Sequence, residues 1–213
     1  YYADNGIEPV FDGYESKAIG IPNYVVDPDT EDREHQLRRH MGELFKRDPT
    51  AQGGHTSADP ETFYEQCLEM VMLRIARVRR ALRGKQYELV FGYTSGLDLV
   101  GHVSYDRPAL QRRAYEEMNQ FVGELVADLH DSDELLLVSD HGLQNGLHTD
   151  EAMVASTTKE LIDDVSSVTD IRQAIENELR AKDHIPDSPW DETDSSDATS
   201  ERVAEQLEDL GYM

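Results

Sequence analysis

The feature that most constrains this chain is a pair of short apolar runs separated by one long helical segment. Residues 88–93 (ELVFGY) and 135–139 (LLLVS) have the length and composition of buried strands, and residues 107–129 have the pattern of a helix with Pro108 at its start. Strand, helix and strand in this order predict a βαβ unit with a right-handed crossover. A further run at 152–156 could add a third strand. The sequence therefore predicts an α/β fold with a mostly parallel sheet flanked by helices.

Side chains that bind metals follow directly after both predicted strands. Asp98 and His102 come after the first strand, Asp140 and His141 after the second, and His148 lies seven residues further on. Because open α/β sheets place their sites at the carboxyl ends of the strands, we expect all five side chains to gather at one edge. Imidazole and carboxylate together favour zinc, manganese or iron, whereas magnesium and calcium prefer oxygen ligands. The sequence therefore predicts a metal site at this edge.

Simpler interpretations exist for each of these residues. Asp98 could be a helix cap, and His102 a buried, hydrogen-bonded histidine. The pair Asp140 and His141 could simply form a turn after a strand. His148 could be an ordinary loop histidine. Four other histidines lie in polar stretches and are expected to be solvated: His35, His40, His55 and His184. Tyr105 follows closely behind His102 and is a candidate to line a substrate pocket.

The charge of the chain excludes some classes of partner. There are 44 acidic and 20 basic residues, a net charge of −24, and only five of the basic residues are lysines. A field of this sign repels nucleic-acid backbones, and acidic excess with scarce lysine suits a protein dissolved in concentrated salt, where charges are screened. No apolar run approaches the ~20 residues that a membrane span needs. The single cysteine, Cys67, cannot form an internal disulfide, which favours the reducing cytoplasm.

Three segments carry a resemblance to a known family. The segments YTSGLDLVGH (93–102), LLLVSDHG (135–142) and GLHT (146–149) resemble the metal-binding half of the alkaline phosphatase superfamily, in particular its type I phosphodiesterase/nucleotide pyrophosphatase branch. Cofactor-independent phosphoglycerate mutase is a related branch. The run AEQLEDLGY (204–212) resembles the end of many members.

The resemblance implies two divalent metal ions about 4 Å apart that clamp a phosphoryl group. Asp98, His102 and His148 would hold one metal, and Asp140 and His141 would contribute to the other. Zinc is the preferred metal, with manganese and iron as alternatives. The implied activity is hydrolysis of phosphate mono- or diesters, with a small phosphate ester as the partner of the site.

The same resemblance implies a Ser or Thr nucleophile and a further aspartate from an upstream strand, turn and helix. Thr50, Thr56 and Ser57 lie near loops, but none follows a buried strand with an aspartate before it. The catalytic nucleophile is therefore unknown, and we expect the fold to be incomplete at the N-terminus, where the chain starts with Tyr1. A mutase-type isomerase and a non-catalytic binding module remain as alternatives, and homo-oligomer formation stays open.

These inferences divide the chain into three parts. Residues 1–56 form a loop-rich segment with one helix at 30–45 and could belong to a cap. Residues 57–182 form the α/β metal-binding catalytic part, which starts with a strong helix up to Gly84. Residues 183–213 form an acidic mobile segment followed by a short terminal helix.

Overall fold

The computed structural model describes residues 6–21 and 28–181, with side chains from residue 36 onward in the second range. The acidic segment and terminal helix expected at 183–213, including His184, lie outside these residues, and so does the side chain of His35. The described elements follow one another as β1 (Ser16–Ile19), α1 (Pro28–Leu44), β2 (Lys46–Arg47), β3 (His55–Thr56), α2 (Pro60–Gly84), β4 (Leu89–Gly92), α3 (Gly96–Val103), α4 (Pro108–Asp128), β5 (Leu136–Val138), β6 (Gly142–Gln144), β7 (Leu147–Thr149), β8 (Val154–Ser156), a 3-10 turn (Val168–Asp170) and α5 (Ile171–Ala181).

The strands of this α/β structure form four two-stranded sheets. β1 and β4 are parallel, with Ser16 opposite Leu89, whereas β5 pairs antiparallel with β8, and the pairs β2–β3 and β6–β7 are antiparallel hairpins. The α/β class is thus confirmed, but the extended parallel sheet is not. Among the described residues, β4 and β5, the two strands of the expected βαβ unit, each pair with a different partner.

Helix α2 is the centre of the core. The Asp59 carboxylate caps it by accepting from the Thr62 backbone N–H at 3.1 Å and from the Thr62 hydroxyl at 2.7 Å. Its apolar stripe is buried, with Phe63 fully inaccessible, and packs against α1, α3 and α4. The core cluster comprises Met41, Phe63, Tyr64, Cys67, Met70, Val100, Val103, Leu110 and Ala114. Burial raises the pKa of the Cys67 thiol to about 12, which makes it unreactive.

Arg74 is the one charged residue within the α2 stripe, and it fixes the end of β4. Its side chain is 2% exposed and donates to the Tyr93 carbonyl at 2.9 Å. This bond anchors the chain at the point where β4 ends and the segment leading to Asp98 and His102 begins. None of the described helices is both long enough and apolar enough to cross a membrane.

A surface ion-pair network joins α2 to α4. Arg79 donates to Asp128 and Glu124, and Arg83 donates to Asp128 at 2.9 Å. Hydrogen bonds from Arg79 first, and then from Arg83, hold the pKa of the Asp128 carboxyl below its usual range. Because the folded pKa is depressed, this network stabilises the protein above the unfolded pKa, and the contribution is lost as pH falls through the folded pKa.

Replacing Asp128 with asparagine is expected to lower the free energy of unfolding by about 1 kcal/mol at neutral pH, since two charge-assisted pairs are lost. The difference from wild type should shrink as the pH falls below the ordinary pKa of an aspartate and through the lowered pKa of Asp128, because the wild-type carboxylate then also becomes neutral. Urea unfolding at several pH values measures this, and the exposed Asp131→Asn variant is the control. A difference that persists undiminished at low pH would contradict the ionic explanation.

Candidate metal centre

Helix α3 presents two of the expected ligands on one face. Asp98 and His102 are four residues apart and therefore one turn apart on the same side. The helix packs directly on β6, because a Cβ atom at Gly101 would lie 1.9 Å from Leu143 Cδ2. Only glycine permits this close approach, which brings α3 next to the strand that leads to His148.

A tight hairpin formed by β6 and β7 carries His148. The two strands are joined by Asn145 and Gly146, whose φ angles are +53° and +77°. Two left-handed residues in a two-residue connection are typical of a type I′ hairpin turn, and Asn-Gly is its strongest sequence signal. The Asn-Gly pair could have predicted that the chain doubles back and returns His148 toward α3.

The structure brings Asp98, His102 and His148 together. His148 Nε2 lies 3.0 Å from His102 Nε2 and 3.0 Å from Asp98 Oδ1, and His102 Nε2 lies 3.3 Å from the same Oδ1. Ligand atoms of a tetrahedral zinc site with Zn–N bonds of 2.0–2.1 Å are about 3.3 Å apart. The three donor atoms are therefore spaced as a shared metal ion requires. Among the described residues, they form the one group of three or more such ligand atoms within 4.8 Å of one another.

A backbone carbonyl orients the His102 ring. His102 Nδ1 lies 2.7 Å from the Gly146 carbonyl oxygen, and because a carbonyl only accepts, Nδ1 carries the proton and donates it. This tautomer leaves the lone pair of Nε2 directed at Asp98 and His148. Such an outer partner is what metal-binding histidines ordinarily have. The side chain of His102 is 12% exposed, against 51% for His148 and 31% for Asp98, so it is the most enclosed of the three candidate ligands.

The second pair of expected ligands lies beside the first three. The His141 ring stacks on the His148 ring, with centroids 3.8 Å apart, and His141 Nδ1 donates to the Gly142 carbonyl at 3.0 Å. His141 Nε2 thus faces Asp140, whose Oδ1 lies 3.6 Å away. The Asp140 carboxylate is 83% exposed. Two donors do not complete a site, so a second metal at Asp140 and His141 would need further ligands.

Two tyrosines border this group. The Tyr105 ring packs against Gly53 and Gly146, about 3 Å from where their Cβ atoms would lie, so it supports the tip of the hairpin. A role for Tyr105 in binding substrate stays a prediction. The pKa of Tyr93 is raised, first by burial and then by the charges of Asp140 and Asp98, so its phenol stays protonated near both carboxylates.

His55 is a neighbour of the site that the sequence analysis missed. Its ring is half-buried, stacks on Phe45 with centroids 4.3 Å apart and lies 5.1 Å from the His102 ring. The expectation that His55 is solvated was therefore wrong, whereas His40 is exposed as expected. His55 lies 47 residues before His102, in a segment with no ligand motif, so only the packing reveals the contact.

A family model described as type I phosphodiesterase / nucleotide pyrophosphatase matches residues 10–205. No curated protein and no solved structure shows a significant similarity to the chain. The match spans all five expected ligands as well as the β2–β3 hairpin that carries His55.

Proposed function

The chain belongs to the type I phosphodiesterase/nucleotide pyrophosphatase family, and on this basis we propose that it is a metal-dependent hydrolase of phosphate mono- or diesters. The observation that carries the metal dependence is the convergence of Asp98, His102 and His148 at 3.0–3.3 Å. A proton on His148 Nε2 would satisfy Asp98 Oδ1 or His102 Nε2, but it would leave the lone pairs of His102 Nε2 and Asp98 Oδ1 facing each other at 3.3 Å. A shared cation explains it, since all three atoms are then donors to one centre.

In this proposal, Asp98, His102 and His148 hold one divalent metal, and Asp140 and His141 contribute to a second. Zinc suits the donor set best, and manganese or iron would also fit. Bound divalent ions supply positive charge that stabilises the phosphoryl group in its transition state and the entering and leaving oxygens. They also offset locally the net charge of −24, which otherwise repels an anionic ester.

The protein residues have distinct tasks around these ions. His102, with its Nδ1 proton held by Gly146, keeps Nε2 unprotonated and aimed at the centre. Asp98 contributes the anionic ligand, and its Oδ1 faces both imidazoles. Tyr93 stays protonated, because burial and then the charges of Asp140 and Asp98 raise its pKa, so it adds no further negative charge to the site. We assign the nucleophile to a Ser or Thr that remains to be identified.

The test is hydrolysis of bis(p-nitrophenyl) phosphate and p-nitrophenyl phosphate by the full-length protein in concentrated potassium chloride. We expect hydrolysis that a chelator abolishes and zinc or manganese restores, and we expect Asp140→Ala and His102→Ala to lower kcat by about 100-fold or more. His130→Ala, at an exposed histidine, is the control. Unchanged hydrolysis in both site variants would refute the proposal. Mutase activity on a phosphoglycerate would favour the isomerase alternative, and metal binding without turnover would favour a binding module.

A further inference from the structure

A column of aromatic rings leads from the buried core to the His102 imidazole. Phe63, which is 0% exposed, stacks on Phe45 with centroids 5.3 Å apart and planes within 10°. Phe45 stacks in turn on His55, 4.3 Å away with planes within 13°. The His55 ring then lies 5.1 Å from the His102 ring at an angle of 59°. His55 therefore lies between the stacked rings of Phe63 and Phe45 on one side and the proposed metal ligand His102 on the other.

The loop that carries His55 is itself fixed against α3. The Asp48 carboxylate accepts from the Thr50 N–H at 2.9 Å and from its hydroxyl at 2.6 Å, and Asp48 N–H donates to the Gly54 carbonyl at 2.9 Å. At Gly53 the backbone passes so close to α3 that a Cβ atom would lie 2.4 Å from the His102 carbonyl oxygen. The same hairpin thus contacts His102 through both its backbone and its ring.

These contacts enclose the imidazole on two sides. The Gly146 carbonyl holds Nδ1, and the rings of His55 and Phe45 lie with their centroids 5.1 and 6.3 Å from that of the imidazole. His55 is not itself one of the converging ligands, because it does not belong to the group of ligand atoms that lie within 4.8 Å of one another. A ligand whose ring is already immobilised loses less conformational entropy when it binds a metal.

We propose that His55 is a positioning residue that fixes the His102 ring in its metal-binding orientation through aromatic packing. This inference rests on the metal site of the proposed function. In this role the β2–β3 hairpin preorganises the metal site. The flat ring of His55 fixes the orientation of the His102 ring, and the nitrogen atoms of His55 do not contribute.

The experiment is a Co²⁺ titration of the full chain, followed by the visible absorption of the bound ion, without any substrate. We expect His55→Ala to raise the Kd for Co²⁺ about 10-fold and to change the absorption bands, since outer partners of metal ligands have effects of this size. His55→Phe keeps the stack on Phe45 and should stay within about 3-fold of wild type. His55→Leu, similar in volume but without a flat ring, should behave like His55→Ala and replaces it if that variant does not fold. His130→Ala should match wild type.

Several outcomes would overturn the inference. Co²⁺ affinity that is unchanged in both His55→Ala and His55→Leu would show that the ring does not position His102. A loss in His55→Phe as large as that in His55→Ala would assign the effect to the imidazole nitrogens. If wild type binds Co²⁺ but hydrolyses no phosphoester, the proposed function fails while the positioning role is still decided by the variants. If wild type binds no Co²⁺, both fail.

Discussion

Replacing His102 with alanine is expected to eliminate tight metal binding, with a Kd for zinc or cobalt at least about 100-fold higher than that of wild type. His102 is the least exposed of the three candidate ligands, and its ring is held by a backbone carbonyl of the hairpin. Its removal therefore takes away one donor and the preorganisation of the site together. Elemental analysis of protein purified in about 2 M potassium chloride without chelator measures the loss directly, because concentrated salt screens the acidic surface.

Further variants are needed to distinguish the loss of a metal ligand from a general effect of the substitution on the fold. His148→Ala removes the most exposed of the three ligands and should also weaken binding strongly, whereas His130→Ala should retain the wild-type metal content. Near one equivalent of metal in wild type and none in the two ligand variants would support the three-ligand site. Equal metal content in His102→Ala and wild type would refute it.

The second large effect is expected for Gly146→Ala, which should lower the free energy of unfolding of the metal-free protein by about 2 kcal/mol. Gly146 has a φ of +77°, and an added Cβ would lie 2.8 Å from Gly53 Cα and 3.1 Å from the Tyr105 ring. To relieve these contacts the hairpin tip must move away from Gly53 and Tyr105. That movement takes the Gly146 carbonyl from His102 and displaces His148, so we also expect metal affinity to fall about 10-fold or more.

Gly54→Ala is the matched control for stability. Gly54 has a φ of +69°, but an added Cβ would meet nothing within 4 Å, so this variant has the backbone strain without the clash. Urea unfolding should therefore show a smaller loss for Gly54→Ala than for Gly146→Ala. Equal losses would mean that backbone strain alone explains the effect, and an unchanged Co²⁺ affinity in Gly146→Ala would show that the hairpin tip does not orient the ligands.

Much of the local structure could be predicted from the sequence because it depends on neighbouring residues. The pattern at 107–129 predicts α4, observed at Pro108–Asp128, and the apolar runs predict β4 and β5 almost to their ends. Ser57 and Asp59 are both residue types that cap helices and Pro60 suits a first turn, and in the structure the Asp59 side chain is the one that caps α2. The identity of the metal-ligand candidates likewise follows from residue type and from position after a strand.

Strand pairing could not be predicted in the same way. β4 pairs with β1 from a segment read as loops, and β5 pairs with β8 in the antiparallel direction. Pairing depends on which edges meet in space, and short apolar strands carry little information about their partners. The βαβ pattern indicated the order of the elements along the chain but not the neighbour of each strand.

The amino-acid sequence alone determined the types of the candidate ligands, their places after β4 and β5, and the one-turn spacing of Asp98 and His102, because these depend on chemistry and local periodicity. Only the tertiary structure decided that His148, 46 residues after His102, comes within 3.0 Å of it, while Asp140 remains largely exposed. It alone also placed His55 against His102. The physical reason is that such contacts depend on how a hairpin folds back and packs against a helix, which local periodicity does not encode.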